Sequence, residues 1–559
     1  MLRLTTVALL LVSTAAFARP DVLISGGMIY DGSGGAPYPG WVAIEGDRIV
    51  ALGKAGTAAP AATRTIDATG KAVSPGFVNM LSWANESLIA DGRALSDITQ
   101  GVTLEVMGEG WSMGPLNPAM KVQAVKDQAD ITYPVTWTTL GEYLTFLEKK
   151  GIAPNVASFV GATTVRVHEI GEGDTDPSPA QLAAMQKLVR QAMNEGAMGV
   201  GSSLIYAPAF FAETPELIAL AKASADCGGM YISHIRNESD HIDTAIAELI
   251  EISKASGGPA EIYHLKQAGK ENWGKLDAVI AQVDAARAAG QRITANMYTY
   301  TAGATGLDAS MPLWVQAGGT AAWIARLKDP AARAKVVAEM RQPFPAQENL
   351  LLAAGSPDKV LLIGFKNPAL KKYTGMSLAQ VAKLRGTSPE DTAIDLVIED
   401  GTRVGTVYFL MDEANVARQT GLPWMAFGSD AEAQAPEGVF LLSSTHPRAY
   451  GNVSRLLGKY VRAENKATLP DAIRRLTSFP ATNLGITDRG LLKAGNYADV
   501  VVFDPATIID HATYEKPQQL STGVDHVYVN GVQVLNDGKP TGKAAGRFVK
   551  GPGAGKCAS

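Results

Sequence analysis

The sequence predicts an α/β protein: a (β/α)8 TIM-like barrel with a small β-sandwich domain built from both termini. Three observations predict it. Strand-like and helix-like stretches alternate over roughly four hundred central residues, which favours a parallel barrel over a sandwich. The two ends of the chain instead read as short strands and turns. One stretch, Met230 to Lys266, reads as strand, helix, strand, with a histidine after each strand.

Taken in order, the first residues, MLRLTTVALLLVSTAAFARP, read as a leader rather than fold. Arg3 supplies a short positive region, Val7 to Val12 is apolar but too short to span a bilayer, and Ala16-Phe17-Ala18 fits a small-x-small cleavage site. A signal peptide over 1–18 is therefore expected, with cleavage after Ala18 and a periplasmic or secreted mature chain that keeps no membrane anchor. From Asp21 to Ile66 apolar and polar residues alternate between Gly, Asp and Asn turns, with a hairpin expected at Gly46-Asp47-Arg48. The same character returns in ADVVVFDPATI and HVYVNGVQVLNDG, where Asn530-Gly531 is a strong hairpin signal. The small β domain is thus expected from 19–74 and 481–550, with the barrel at 75–480 between them.

Within the barrel region VSPGFVNML, GVTLEVMGEG, GAMGVGSSL, GQRITANMYTY and GLPWMAFGSD read as strands. Between His234 and His264, apolar residues at Ile242, Ala245, Ile246, Leu249, Ile250 and Ile252 follow near-helical spacing until Gly257-Gly258-Pro259. This unit has the length of a βαβ crossover. A helical insert is expected near 308–345, carrying Trp314 and Trp323, as a lid over the barrel mouth or an outer appendage. The tail 551–559, GPGAGKCAS, is expected to be disordered. The two cysteines, Cys227 and Cys557, make no disulfide framework.

Composition narrows the function. With 46% hydrophobic and 19% charged residues the chain is an ordinary globular protein, and a net charge of −5 without basic runs gives no reason to expect nucleic acid. Parallel strands that each end in histidine put His234 and His264 at the face where barrel chemistry occurs, and two neutral imidazoles suit one zinc ion. The chain has only 7 histidines, so two at matching strand ends are a marked coincidence. Glu109 in MGEGW and Asp430 in FGSDA also follow strands. A carboxylate can ligate zinc, and a second one beside it can act as general base.

Several motifs then carry a resemblance: LISGGMIYDGSG, SPGF, SSLIYAP, SHIRNES, YHLKQAGKENWGK, MYTYTAG, FGSD, HPRAYG and RGLLKAGNYADVVVFDP. The chain resembles the D-aminoacylases (N-acyl-D-amino-acid deacylases) of the amidohydrolase superfamily over nearly its whole mature length. The resemblance implies a metal-dependent barrel that hydrolyses the amide of an N-acyl-D-amino acid or a D-residue-containing peptide. It implies that His234 and His264 are the ligands on the fifth and sixth strands. Asp430, after the eighth strand, would take a proton from the attacking water and return it to the leaving amine. The family's C-G-x-S-x-x-P falls on Glu109-Gly110-Trp111-Ser112-Met113-Gly114-Pro115, so a hard carboxylate replaces a soft thiolate. Tyr206, Lys266, Tyr298 and Arg448 match positions near the substrate; the cations would pair with its carboxylate.

The sequence departs from the family in the first strand. The H-x-H pair that should follow P-G-F-(I/V)-D falls on Leu81 and Trp83, neither a metal ligand. One zinc per chain, held by Glu109, His234 and His264, is expected. Two other readings stay open: a cyclic-amide hydrolase or dipeptidase of the same superfamily, or a degenerate barrel that binds a ligand without turnover.

Overall fold

The structure is a computed structural model that describes residues 19–557. The expected leader, 1–18, lies outside the described residues.

The strands of the two ends join in one nine-stranded sheet. Val22–Ile29 pairs with Tyr38–Glu45, which turns at Gly46-Asp47 into Arg48–Lys54. Ala72–Pro75 pairs in parallel with Val22–Ile29 and antiparallel with Val500–Phe503, so the sheet is sewn together across the whole chain. Val524–Val529 and Val532–Asn536 follow as a hairpin. Its turn residues, Asn530 (φ 47°) and Gly531 (φ 77°), both adopt left-handed backbone, as a tight hairpin of this kind requires. Ile24, Val42, Ile44, Val73, Val500 and Val502 form this sheet's own core.

Between the ends lie two parallel sheets. One is Phe77–Asn79, Val102–Met107 and Asn155–Ser158; the other has six strands and includes Gly199–Ser203, Met230–His234, Ala260–Ile262, Ile293–Met297 and Met425–Phe427. Backbone bonds join them at both edges. Phe159 N–H donates to Met107 O at 2.8 Å, and Met80 N–H donates to Phe427 O at 3.0 Å. Helices alternate with these strands. Ile242–Ser256 buries Ile242, Ala245, Ile246, Leu249 and Ile252, and Gly257 ends it in left-handed backbone (φ 75°). Burying each Ile or Leu of this face contributes about 1.5–3 kcal/mol, more than helix propensity does per residue. Pro179–Glu195 starts with a reciprocal cap between Ser178 and Gln181.

Two expectations need correction. The insert is not a helical stretch near 308–345. The helices Gly319–Lys328 and Pro330–Met340 lie there, but the excursion continues through the antiparallel strands Gly303–Gly306, Val360–Gly364 and Gly405–Tyr408 and the helices Leu378–Arg385 and Pro389–Asp400. Leu307, Trp323, Leu327, Leu362, Leu396 and Tyr408 belong to a separate hydrophobic core, so the insert is an α/β lobe. Its sheet closes by pairing residues some hundred positions apart, which local pattern does not reveal.

As far as Cys557, the tail is not disordered either. Val549 N–H donates to Val156 O at 2.9 Å, Gly551 N–H to Gly196 O at 2.9 Å, and Gly555 N–H to Asn194 O at 2.9 Å. Cys557 is buried and bonded to Cys227 in a disulfide, which the sequence reading did not anticipate. Backbone bonds and one covalent link hold a segment that has no hydrophobic pattern of its own. Among the described residues, no helix is long and apolar enough to cross a membrane.

Candidate metal centre and active site

Parallel pairing aligns the strand ends. Ser203 lies opposite His234, and Ile232 opposite Glu261, so the residues after Ile262 emerge beside His234. His264 (φ 32°) and Asp430 (φ 50°) both adopt left-handed backbone that costs a non-glycine residue about 1–2 kcal/mol. Neighbouring strands hold them there. His264 N–H donates to Asn296 Oδ1 at 2.8 Å, and Asp430 N–H donates to Leu81 O at 2.9 Å. Glu109 is carried inward by a backbone that must be bare. A Cβ on Gly108 would lie 2.3 Å from Phe159 O, and one on Gly110 2.6 Å from Ser203 Cβ.

These side chains meet. Glu109 Oε1 lies 3.0 Å from His234 Nδ1 and 3.0 Å from His264 Nε2. All three residues are buried, and their ligand atoms lie within 4.8 Å of one another. Four ligands about 2.0–2.1 Å from a tetrahedral zinc ion sit about 3.3 Å apart, so this triangle fits one such ion with little movement. The nitrogens turned away from Glu109 face a second carboxylate. Glu238 lies 3.3 Å from His234 Nε2 and 3.1 Å from His264 Nδ1. A carboxylate bonded behind a ring fixes tautomer and orientation in histidine metal sites; His264 Nδ1 makes that bond to Glu238, while His234 Nε2 has only the charge contact. The donor set and its backing therefore fit a divalent cation.

The electrostatics are consistent. Burial works to raise the Glu109 and Glu238 carboxyls, but His264 and His234, joined at Glu238 by Lys266, hold both well below the usual range. Burial opposes charge on His234, yet Glu238 and Glu109 raise it to about 9. Asp430 is raised: burial is the largest cause, Arg448 opposes it and Glu109 adds to it. Arg448 Nη2 lies 2.7 Å from Asp430 Oδ2. The Trp83 indole N–H reaches both Glu109 Oε2, at 3.0 Å, and Asp430 Oδ1, at 3.1 Å.

A cavity of about 1190 Å³ opens over this cluster. Tyr206, Tyr298, Lys266 and Arg448 all line it. The Tyr298 hydroxyl and Arg448 Nε and Nη1 are buried without a hydrogen-bond partner, and the guanidinium lies 4.4 Å over the Tyr298 ring. Tyr206 stacks edge-on against His234 and under Arg403 of the lobe. Lys266 differs from the expectation of a free cation: both Glu238 oxygens hold its Nζ, at 2.6 and 2.7 Å. Sequence reasoning missed Glu238, Trp83 and Arg403. The first had a signal in the H-x-x-x-E spacing of SHIRNES; the other two had none. The lobe supplies Arg403, Asp308 and Trp323 to the cavity wall, so the insert borders the site.

A buried cluster of two nitrogens and one oxygen at the C-terminal ends of parallel strands defines a metal-centre hydrolase class. Residues 64–535 match the sequence profile of the Amidohydrolase family, and the chain belongs to that family. It is 32% identical over 530 residues to a D-aminoacylase of Alcaligenes xylosoxydans xylosoxydans, covering 95% of this chain and 97% of that one. Among solved structures it is similar to the N-acyl-D-glutamate deacylase of Bordetella bronchiseptica complexed with zinc and a phosphonate mimic of the tetrahedral intermediate. That likeness has TM-score 0.77 and 29% identity, over 95% of this chain and 100% of that one. It is equally similar, at TM-score 0.77 and 30% identity over the same shares, to a D-aminoacylase whose binuclear metal centre shows one-metal activation and second-metal attenuation.

Proposed function

We propose that this protein is a metal-dependent amidohydrolase that cleaves the amide of N-acyl-D-amino acids or of peptides carrying a D-residue. The observation that carries the reading is the single oxygen, Glu109 Oε1, 3.0 Å from a nitrogen of each strand-end histidine. Glu109, His234 and His264 would hold one divalent cation, zinc, per chain. When bound, such an ion acidifies a water and polarises the scissile carbonyl. Asp430 takes the proton from the attacking water and delivers it to the leaving nitrogen, with Arg448 and Trp83 fixing its two oxygens. Arg448 Nε and Nη1 and the Tyr298 hydroxyl, all unpartnered, donate to the substrate carboxylate, and Tyr206 walls the cavity. Lys266 acts through Glu238, holding the carboxylate that backs both histidines.

The finer architecture follows the same reading. The edge bonds from Met80 to Phe427 and from Phe159 to Met107 support one closed (β/α)8 barrel. The shared core of Ile24, Val42, Val73 and Val500 supports a terminal sheet folded over as a sandwich. The Cys227–Cys557 disulfide supports an exported protein, because such bonds persist mainly in oxidising compartments.

The test is hydrolysis by the purified mature protein. N-acetyl-D-amino acids, their L-enantiomers, D-residue dipeptides and cyclic amides are assayed with and without zinc. Turnover restricted to the D-series, removed by a chelator and restored by zinc, is expected. Turnover of cyclic amides alone would move the protein to another reaction of the family. A metal-loaded protein with no turnover on any of them would make it a ligand-binding barrel.

A further inference from the structure

We infer that the indole N–H of Trp83 takes the place of a second cation between Glu109 and Asp430, so that the centre stays mononuclear and the base stays in position. This rests on the proposed roles of Glu109 and Asp430. One N–H donor sits between oxygens of two buried carboxylates, 3.0 Å from Glu109 Oε2 and 3.1 Å from Asp430 Oδ1. Two acids this close in a dry site need positive character between them. A divalent ion would supply it, and so does an aimed N–H dipole, which cannot dissociate and brings no water with it.

The rest of the geometry makes the indole a fixture. The backbone amide of Trp83 donates to Ala431 O at 2.9 Å, and the preceding Ser82 bridges to Ala431 in parallel, so the backbone that carries the ring is anchored to the segment that carries Asp430. The side chain of Leu81, two residues earlier, is fully buried and offers no donor. The N–H also keeps Glu109 Oε2 turned away from the histidines, leaving Oε1 alone to face them. Trp83 is therefore a positioning residue for both the metal ligand and the base.

Two variants test this. Trp83→Phe removes the N–H and keeps an aromatic ring. It is expected to retain one metal per chain, with kcat lowered about ten- to a hundred-fold, the worth of one hydrogen bond to a charged group, and KM little changed. Trp83→His puts an imidazole nitrogen between the two carboxylates, and elemental analysis after zinc loading is expected to rise from one metal per chain to two. Thermal unfolding of both variants checks that they fold. An unchanged kcat in Trp83→Phe, or a stoichiometry that stays at one in Trp83→His, would overturn the inference. A parent that binds no divalent metal overturns the proposed function and this inference with it. A loaded, active parent whose Trp83→Phe variant is indistinguishable overturns this inference alone.

Discussion

The two halves of the site solve the same problem in different ways. On one side, around His234 and His264, buried carboxylates sit among positive partners: Glu109 against both imidazoles, and Glu238 against both imidazoles and Lys266. Burial alone would protonate these acids, and the surrounding charge keeps them ionised. On the other side the strand Phe77–Asn79 and its continuation carry Asn79, Leu81 and Trp83. Here Asn79 Nδ2 reaches Glu105 at 2.8 Å and Asp97 at 3.3 Å, and neither acid forms an ion pair among the described residues. Burial raises both carboxyls, Glu105 to about 7. One half brings together three residues with metal-ligating atoms, and the other is filled with a leucine, an indole and acids whose carboxyls burial raises. The space beside this strand end is thus filled by apolar side chains, while the Asn79 amide and the Trp83 indole donate to the buried carboxylates.

The comparison breaks most visibly at Asp430, where the halves meet. Asp430→Asn keeps shape while removing the base. It is expected to fold, to keep most of its metal, and to lose turnover by about a hundred- to ten-thousand-fold, the usual worth of positioned proton transfer. Steady-state kinetics on an N-acetyl-D-amino acid decide it, and parental turnover in the variant would assign the base elsewhere.

Within the ligand half, Glu109→Gln removes a charge at nearly constant shape. Zinc affinity, read by chelator competition, is expected to fall by more than the about ten- to hundred-fold typical of an outer partner. Glu109→Cys should restore it, since a thiolate is a strong zinc ligand. Unaltered metal content in Glu109→Gln would make this glutamate a structural acid. Glu238→Gln should cost the smaller amount itself, about ten- to a hundred-fold in metal affinity, because it loosens both rings without touching the ion. Equal losses in the two variants would erase the distinction between ligand and backing carboxylate.

The smallest effect belongs to the filled half. The folded chain keeps the Glu105 proton up to about pH 7, whereas the unfolded chain releases it near its ordinary value of 4.5. Between those values the folded state holds more protons, so this group's contribution to stability falls as pH rises. Glu105→Gln is expected to remove that slope and to gain, relative to the parent, on the order of 2 kcal/mol between pH 5 and pH 8. Denaturant melts at the two pH values measure it, and parallel curves for variant and parent would show that Glu105 is ionised in the fold.

How far the sequence disclosed this site depended on whether a residue's partners lay within one supersecondary unit. His234 and His264 were legible because strand, helix and strand are consecutive, and the helix between them has clear apolar spacing. Asp430 and Glu109 were legible as carboxylates just past strands. Glu238 was not singled out, since a glutamate four residues after a strand-end histidine looks like any loop acid until both rings turn toward it. Trp83 read only as a lost ligand. Its N–H acquires meaning from Asp430, 347 residues away. The lobe was foreshortened for a related reason: Gly303–Gly306 has no alternating pattern, and its partner strand is Gly405–Tyr408.

The terminal sheet imposes an order on biogenesis. Its middle strands join Val22–Ile29 and Ala72–Pro75 to Val500–Phe503, so the N-terminal strands stay unpaired on that edge until more than four hundred further residues exist. At about 5–20 residues per second of synthesis, that interval is tens of seconds. Cys557 lies 330 residues beyond Cys227, so the disulfide forms later still. A sheet whose first strands wait for Val500–Phe503 keeps that edge open while everything between them is made.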